Sequence, residues 1–315
     1  MTAGRRARAR GYLLVLGAAT AWGSLGLFYI DINRRYGLPP ETIVFLRALV
    51  ALTVLVVVLG ALRRQLLCIR LRDLPLFMVL GGVGVAAFYL VYGYAVHVAG
   101  MSVAVVLMYT APVWVTVYAW RFLGEGLDRH KLAALAGAFA GAALVAQVYD
   151  PGRLLLNGPG IALGLASGVC YGCYTILNKY AVRRYAPWTV LTFGLACGLP
   201  VLAAVQPAGV WQRLSAPGLC GWLIALGIGP TLGGGLLYMA GLAHLSASVA
   251  SIVVAFEPVV ASVLAFLVLG ERLAAAQVAG AALIVASIVL LGGRDLAAQD
   301  GAARPRQAEQ PPAAG

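Results

Sequence analysis

Charged side chains are scarce in this sequence, and acidic ones are the scarcest. The 315 residues include 11 Asp and Glu and 23 Lys and Arg, whereas 62% of the chain is hydrophobic. A soluble globule of this size needs more polar side chains than this to cover its surface. The composition therefore predicts a membrane protein.

Several motifs that mark enzymes and cofactor sites are also missing. The glycine clusters at 81–84 and 233–235 are not followed by the Lys-Ser/Thr of a phosphate loop, and no HExxH, DxxD or Ser/His/Asp arrangement occurs. Cys170 and Cys173 have no second pair, and the five cysteines lie mostly in apolar runs, which does not fit a disulfide framework. We expect no metal, no cofactor and no enzymatic activity, with a membrane-embedded enzyme kept as an alternative.

Ten apolar runs of about 20 residues divide the chain. A helix of that length crosses a hydrocarbon core of roughly 30 Å, so we expect an all-α membrane protein with ten transmembrane helices. A basic N-terminal tail, residues 1–10, precedes an uncleaved first helix, and the tail at 293–315 is expected to be disordered. The runs cover approximately 11–30, 42–61, 74–98, 101–121, 131–148, 158–177, 188–206, 218–243, 246–269 and 274–292.

The basic residues lie mainly between the apolar runs and on one side of the membrane. With the N-terminus inside, 17 Lys and Arg residues fall in cytoplasmic segments and five in external ones. This bias predicts that both termini are cytoplasmic. Although the net charge is +12, positive loops already have a membrane explanation, and we expect no nucleic-acid partner.

The chain repeats itself after about 146 residues. Each half holds five apolar runs, at 11–148 and 158–292, and residues 149–157 form the connecting loop. Because five is odd, the second half must enter the membrane from the opposite side, so the two repeats are predicted to be inverted. The matching positions include Tyr92 with Tyr238, Ser102 with Ser248, Pro112 with Pro258, Glu125 with Glu271 and Leu127 with Leu273.

Each half ends in Pro-x(11)-Gly-Glu and a final helix rich in Gly and Ala. This pattern, and above all the run 248–273, resembles the EamA-type transporters of the drug/metabolite transporter superfamily. The resemblance covers about 11–292 and implies ten helices around a central substrate cavity, with the fourth and ninth helices near the axis. It also implies export of metabolites or amino acids. The first half departs from the pattern at Gly126, which follows Glu125.

Glu257 is the strongest candidate for a functional side chain. It lies about 16 Å into its helix when counted from Ser246, which is close to the middle of the membrane. An ionised carboxylate there costs at least about 2.5–3.5 kcal/mol, so Glu257 should face a wet cavity, find a partner or hold a proton. It either binds substrate or protons, or forms a structural hydrogen bond to neighbouring hydroxyls. Ala111 occupies the matching position in the first half.

Two prolines are expected to kink the central helices. Pro258 has no N–H to donate, which leaves the carbonyl of Val254 available to a ligand or water. Pro112 is the matching residue in the fourth helix, where Tyr109 precedes it by three positions. These residues either line a cavity or pack against adjacent helices.

Glu125 and Glu271 each follow a glycine and precede the last helix of their half. Glycine suits the end of one helix, and a glutamate just before the next helix favours that helix's positive end. We therefore interpret both positions as capped turns.

Arg47 and four aromatic residues complete the predicted substrate site. Arg47 lies roughly 8 Å into the second helix, so it either reaches back to the lipid headgroups or pairs with a substrate carboxylate or a cavity acid. Aromatic side chains at helical spacing either stack on a substrate or pack in the core. Because the resemblance brings helices one, three, four and six around the cavity, we favour Trp22, Tyr94, Tyr109 and Tyr171.

These observations predict a secondary transporter. A proton gradient, exchange or the solute's own gradient would drive it, and its two halves would rock around a small amino acid-like or drug-like solute and export it. We expect a multi-pass protein of the bacterial cytoplasmic (inner) membrane, with lipids as partners and Glu257 as the residue that couples protons. A lipid or lipid-linked sugar flippase of the same fold is the alternative, and the oligomeric state stays open.

Overall fold

The structure, a computed structural model, describes residues 3–150, 157–207 and 216–302. Within these ranges every regular element is a helix and no strand occurs. The expected connecting loop at 149–157 lies largely outside the described residues. The α-helices of the described chain are α1 Ala3–Gly23, α2 Leu25–Tyr36, α3 Pro40–Leu62, α4 Leu74–Val79, α5 Phe88–Met108, α6 Ala111–Phe122, α7 Arg129–Val145, α8 Gly158–Val182, α9 Pro187–Ala204, α10 Leu219–Leu226, α11 Gly234–His244, α12 Ala247–Val253, α13 Glu257–Leu269 and α14 Ala275–Ala302.

Eight helical segments are long and apolar enough to cross a membrane. Their outer faces carry exposed apolar side chains, such as Val57 at 63%, Phe122 at 62% and Val289 at 66% exposure. Such faces suit hydrocarbon, and helices satisfy their own backbone hydrogen bonds there, so the chain is an all-α, multi-pass membrane protein. The segments are Gly4–Tyr36, Pro40–Leu62, Leu71–Phe122, Gly158–Val182, Pro187–Ala204, Leu219–His244, Ala247–Leu269 and Ala275–Arg294.

Helix boundaries follow the residues that start and stop helices. Pro40 is the first residue of α3, where its missing N–H costs no hydrogen bond. Asp128 caps α7, and its carboxylate accepts hydrogen bonds from the N–H groups of His130 and Lys131 at 2.9 and 2.8 Å. Gly270 follows α13 with φ of 70°, a conformation that glycine adopts without strain. These local signals define where the membrane helices begin and end.

Corresponding positions of the two halves share the same irregular geometry. π-Helical segments occur at Leu80–Ala87 and Gly227–Gly233, 146 to 147 residues apart. Packing follows a matching pattern, because α1 packs along α11, α5 packs along α8, and α7 packs along α14. The sequence repeat is therefore accompanied by repeated local structure.

The buried side chains form two main clusters, and Tyr109 and Tyr171 belong to the first of them. One cluster is built around α1, α7, α12 and α14, and the other around α3, α9 and α10. Tyr174 of α8 packs against both clusters. Glycine permits a close helix crossing, since a Cβ added to Gly141 in α7 would lie 2.7 Å from the carbonyl oxygen of Gly280 in α14.

The last helix is longer than the sequence predicted. We expected a disordered tail from Gly293, but α14 continues to Ala302. Residues such as Leu296 and Ala297 favour helix, which extends the preceding membrane helix beyond the apolar run. The remainder of the expected tail, 303–315, lies outside the described residues.

Candidate functional site

The helix that carries Glu257 is interrupted just before that residue. α12 ends at Val253, a 3₁₀ turn covers Val254–Phe256, and α13 begins at Glu257. The N–H of Glu257 donates to the carbonyl of Val254. The expectation that this carbonyl is free is therefore wrong, because the 3₁₀ turn supplies a donor three residues later. Pro258 is the second residue of α13, where its missing N–H is tolerated.

The fourth predicted helix is interrupted at the matching position. α5 ends at Met108, Tyr109 and Thr110 form a turn, and α6 begins at Ala111 with Pro112 as its second residue. The Tyr109 side chain is 3% exposed, so the turn directs this tyrosine into the protein. Two helix breaks, 146 residues apart in the sequence, thus lie next to the candidate residues.

Glu257 is partly buried among tyrosines. The Tyr109 hydroxyl lies within hydrogen-bonding reach of its carboxyl group, and Tyr92 and Tyr171 are close enough to interact with it electrostatically. Gly23 of α1 lies against the Glu257 backbone carbonyl. Two of the residues predicted from the sequence, Tyr109 and Tyr171, therefore surround Glu257 at the helix break.

Arg47 is buried, with 2% of its side chain exposed, and does not reach the surface. Its guanidinium carbon lies 4.6 Å from the centre of the Tyr89 ring, and Nη1 donates to Thr231 Oγ1 at 3.3 Å. Tyr29 is within hydrogen-bonding reach of the same group. The headgroup interpretation is therefore wrong, because neighbouring helices supply aromatic and polar partners inside the protein.

Arg47 and Glu257 are close enough for their charges to attract each other. They interact with each other across the site, but no direct ion pair within 4.0 Å joins them in the described chain. The Nε atom of Arg47 is buried and has no hydrogen-bond partner among the described residues. Because a buried donor without a partner is costly, this arrangement favours an anionic ligand group at Arg47.

A row of contacting aromatic rings connects the elements around Glu257. Neighbouring ring centres lie 5.1 to 6.3 Å apart, a spacing typical of favourable aromatic contact. Next to Trp22, the Tyr238 hydroxyl shares a 2.7 Å hydrogen bond with Thr175. The row therefore gives the site a rigid apolar wall, formed by Trp22, Tyr238, Tyr174, Tyr171, Phe88 and Tyr92.

Tyr94 is the one predicted aromatic residue that the structure does not bring to this cluster. Its side chain is 63% exposed on α5. Tyr92, two residues earlier, faces the cluster, and two helical steps rotate a side chain by about 200° around the helix axis. We therefore place Tyr92, and not Tyr94, at the candidate site.

Several aromatic residues at the site were not among those predicted from the sequence. For two of them a signal was present, because Tyr92 and Tyr238 occupy matching positions of the repeat and both belong to the aromatic row. A further signal was present for Tyr174, which follows Tyr171 by three positions and so lies on the same helix face. No comparable signal singled out Tyr29 or Tyr89, whose roles depend on how the helices are rotated against one another.

The arrangement combines three binding capabilities in one region. Glu257 can hold a cationic group, Arg47 can hold an anionic group, and the aromatic row can cover an apolar side chain. A small molecule that carries both charges and an apolar group matches these features.

Comparisons with known proteins agree with this architecture. The sequence profile of the EamA-like transporter family matches residues 9–147 and again residues 158–293. A probable terminal-alkyne amino-acid exporter of Streptantibioticus cattleyicolor is 30% identical over 75% of this chain and 79% of its own length. An uncharacterized transporter of Archaeoglobus fulgidus is 29% identical over 86% of this chain and 95% of its own length.

A solved crystal structure has the same fold. It superposes with a TM-score of 0.77 at 19% sequence identity, covering 91% of this chain and 98% of the other. The profile matches span nearly the whole sequence, with one match in each half. The chain therefore belongs to the EamA-like transporter family.

Proposed function

We propose that this protein is a secondary transporter that exports a small amino acid-like solute by alternating access. The observation that carries the proposal is the pairing of a buried Arg47 and a partly buried Glu257 within one aromatic-walled region. Oppositely charged groups that do not neutralise each other directly suit a zwitterion. The solute's carboxylate would bind Arg47, its ammonium group Glu257, and its side chain the aromatic row.

The substrate class has support from one relative. The protein of Streptantibioticus cattleyicolor is named a probable terminal-alkyne amino-acid exporter. An amino acid with an apolar side chain fits the charges and the aromatic wall of the present site better than a lipid does. A lipid or lipid-linked sugar flippase therefore remains the alternative to be tested, and we propose no enzymatic activity.

We propose ten membrane crossings in two inverted repeats, 11–148 and 158–292. The segment Leu71–Phe122 has 52 residues, or about 78 Å of helix, which is enough for two crossings. The backbone breaks inside it at Gly100, where φ is 78° and ψ is 162°. α7, with 17 residues, supplies a further short crossing. Five crossings in each half support an inverted arrangement, and both termini would then be cytoplasmic in a bacterial inner membrane.

Glu257 is proposed to couple transport to protons. A carboxyl group in a site of low polarity is costly to ionise without a partner, so a proton or the ammonium group of a substrate would compete for it. Exchange of one for the other would link solute export to proton entry. No nucleotide-binding loop occurs in the sequence, which agrees with an ion or solute gradient as the energy source.

Counterflow into proteoliposomes tests the proposal. Proteoliposomes that contain the purified protein would be loaded with candidate amino acids, their matching amines or lipid-linked sugars. Counterflow would be measured at two external pH values. We expect counterflow of amino acids, and we expect Glu257→Gln to abolish the component of uptake driven by a pH gradient. Glu41→Gln, a change at the start of α3, is the matched control.

Two results would contradict the proposal. Unaltered pH-driven uptake by Glu257→Gln would rule out the coupling role of Glu257. Movement of lipid-linked sugars without counterflow of amino acids would replace the exporter with the flippase.

A further inference from the structure

Glu125 connects the first half of the chain to the broken helix of the second half. Its carboxylate accepts hydrogen bonds from the N–H groups of Ala247 and Ser248, at 2.7 and 3.2 Å, and from the Ser248 hydroxyl. Lys131 Nζ lies 3.8 Å from the same carboxylate. Glu125 was expected to act at the start of α7, but Asp128 caps that helix instead. Glu125 therefore closes a contact between the two halves.

The residues that match this contact in the repeat do not form it in the described part of the chain. The repeat pairs Glu125 with Glu271, Ala247 with Met101 and Ser248 with Ser102, each 146 residues apart. In the described chain no hydrogen bond or ion pair joins Glu271 to Met101 or Ser102, and Glu271 is exposed. Instead, these three residues line a cavity of about 480 Å³, together with Gln147, Pro258 and Ser262.

Burial differs in the same sense at a further pair of matching positions. Ser262, which lines the cavity, is only partly buried, whereas Thr116, its counterpart 146 residues earlier, is 2% exposed. Ser102 is partly buried and its counterpart Ser248 is 0% exposed. The positions near Glu125 are thus packed, whereas their counterparts near Glu271 are open.

The two faces lie at opposite ends of one membrane helix. Ser248 is near the start of the span Ala247–Leu269, and Glu271 follows its end. The 23 residues of the span correspond to about 34 Å of helix, which is the thickness of a bilayer core. From the distribution of Lys and Arg, the closed Glu125 face is cytoplasmic and the open Glu271 face is external.

We propose that Glu125 and Glu271 are reciprocal latches of the two transporter gates. This structure has the Glu125 latch closed and the Glu271 side open. In the opposite state Glu125 releases Ala247 and Ser248, and the Glu271 carboxylate accepts hydrogen bonds from the Met101 and Ser102 N–H groups and the Ser102 hydroxyl. Each half then closes one gate on the other half with the same set of atoms. The proposal rests on alternating access, and it names the residues that hold each state.

Thiol labelling of both faces tests the latches. Single cysteines, Ser262→Cys or Thr116→Cys, would be introduced into a background in which the five native cysteines are replaced by serine. The protein would be embedded in nanodiscs, so that a polar thiol reagent reaches both faces. Without substrate, we expect fast labelling of Ser262→Cys and slow labelling of Thr116→Cys.

Removing each latch should shift the two labelling rates in a defined way. Glu125→Ala is expected to raise labelling of Thr116→Cys at least about tenfold, which corresponds to about 1.4 kcal/mol, and to lower labelling of Ser262→Cys. Glu271→Ala removes the latch of the state that is not seen here, so Thr116→Cys should stay slow and Ser262→Cys fast. Glu41→Gln is the control for a lost carboxylate and should change neither rate.

Two labelling outcomes would overturn the proposal. An unchanged rate at Thr116→Cys in Glu125→Ala would show that Glu125 does not hold the gate. Faster labelling at both positions would show that the protein has loosened instead of switching. Because no substrate is present, these results are independent of whether an amino acid is transported.

A cross-link gives a second readout that does not depend on labelling. A disulfide requires Cα atoms within about 4.4–6.8 Å, so cross-linking of the double variant Ser102→Cys/Glu271→Cys reports how closely these two cavity-lining positions approach each other. Mild oxidation should cross-link this pair faster when Glu125→Ala is also present. An unchanged cross-linking rate would overturn the reciprocal arrangement.

Discussion

Replacing Arg47 by Gln is expected to weaken the binding of amino acids about 10- to 100-fold, while binding of the matching amines changes little. The guanidinium is 2% exposed, stacks on Tyr89 and donates to Thr231, so its position is well defined. A hydrogen bond to a charged group contributes about 1.5–3 kcal/mol, and about 1.4 kcal/mol corresponds to a factor of ten. An amine lacks the carboxylate that Arg47 would bind, so its affinity should not change.

The assay compares two compounds that differ only in the carboxylate. In counterflow, the concentration of unlabelled amino acid or amine that halves uptake would be measured for the parent and for Arg47→Gln. Arg35→Gln is the matched control, because Arg35, like Arg47, lies over an aromatic ring, 5.5 Å from that of Trp222, but it is 61% exposed and pairs with Asp31 at 2.7 Å. Size-exclusion profiles would verify that the variants are folded.

Either of two results would contradict the role of Arg47 in binding the carboxylate. Equal weakening for amino acid and amine would mean that Arg47 supports the shape of the site without binding the carboxylate. Unchanged affinity for both would mean that the solute binds elsewhere. A Glu257→Gln variant should show the complementary pattern, with amine and amino acid both weakened, because both carry the ammonium group.

Two further predictions concern aromatic placement and helix packing. Tyr92→Leu should lower counterflow severalfold because it removes a ring from the row, whereas Tyr94→Leu should leave it unchanged, and equal effects would contradict the assignment. Gly141→Ala should lower the melting temperature, by an overpacking cost of about 1–3 kcal/mol, because its Cβ would lie 2.7 Å from the Gly280 carbonyl oxygen. Gly82→Ala, where no atom lies within 4 Å of the added Cβ, should be neutral, and equal melting temperatures would contradict the packing argument.

The membrane helices were predictable because their lengths and ends depend on local features. Apolar runs must match the bilayer, and Pro40, Asp128 and Gly270 act within a few residues of their own positions. The depth of Glu257 followed from counting residues along one helix. These properties need no knowledge of how the helices are packed.

The directions of side chains were less predictable because they depend on neighbouring helices. The depth of Arg47 in its helix allowed both a headgroup contact and an internal one, and only the positions of Tyr89 and Thr231 decide between them. Tyr92 and Tyr94 are the same residue type at a similar depth, but their positions around the axis of α5 point their side chains in different directions. The 3₁₀ turn at Val254 was missed because the sequence shows the absent donor of Pro258 and not the local rearrangement that replaces it.

The charges of the candidate site mark the places where the two halves differ. Glu257 has Ala111 as its counterpart at 146 residues, and Arg47 has Gly194 at 147. Each half therefore contributes one charge, of opposite sign, that the other half lacks. A symmetric pair of charges would bind a zwitterion equally well in two orientations, whereas one acid and one base define a single orientation. The repeated backbone would suit the proposed exchange of gates, and the unmatched side chains would bind a solute in one orientation.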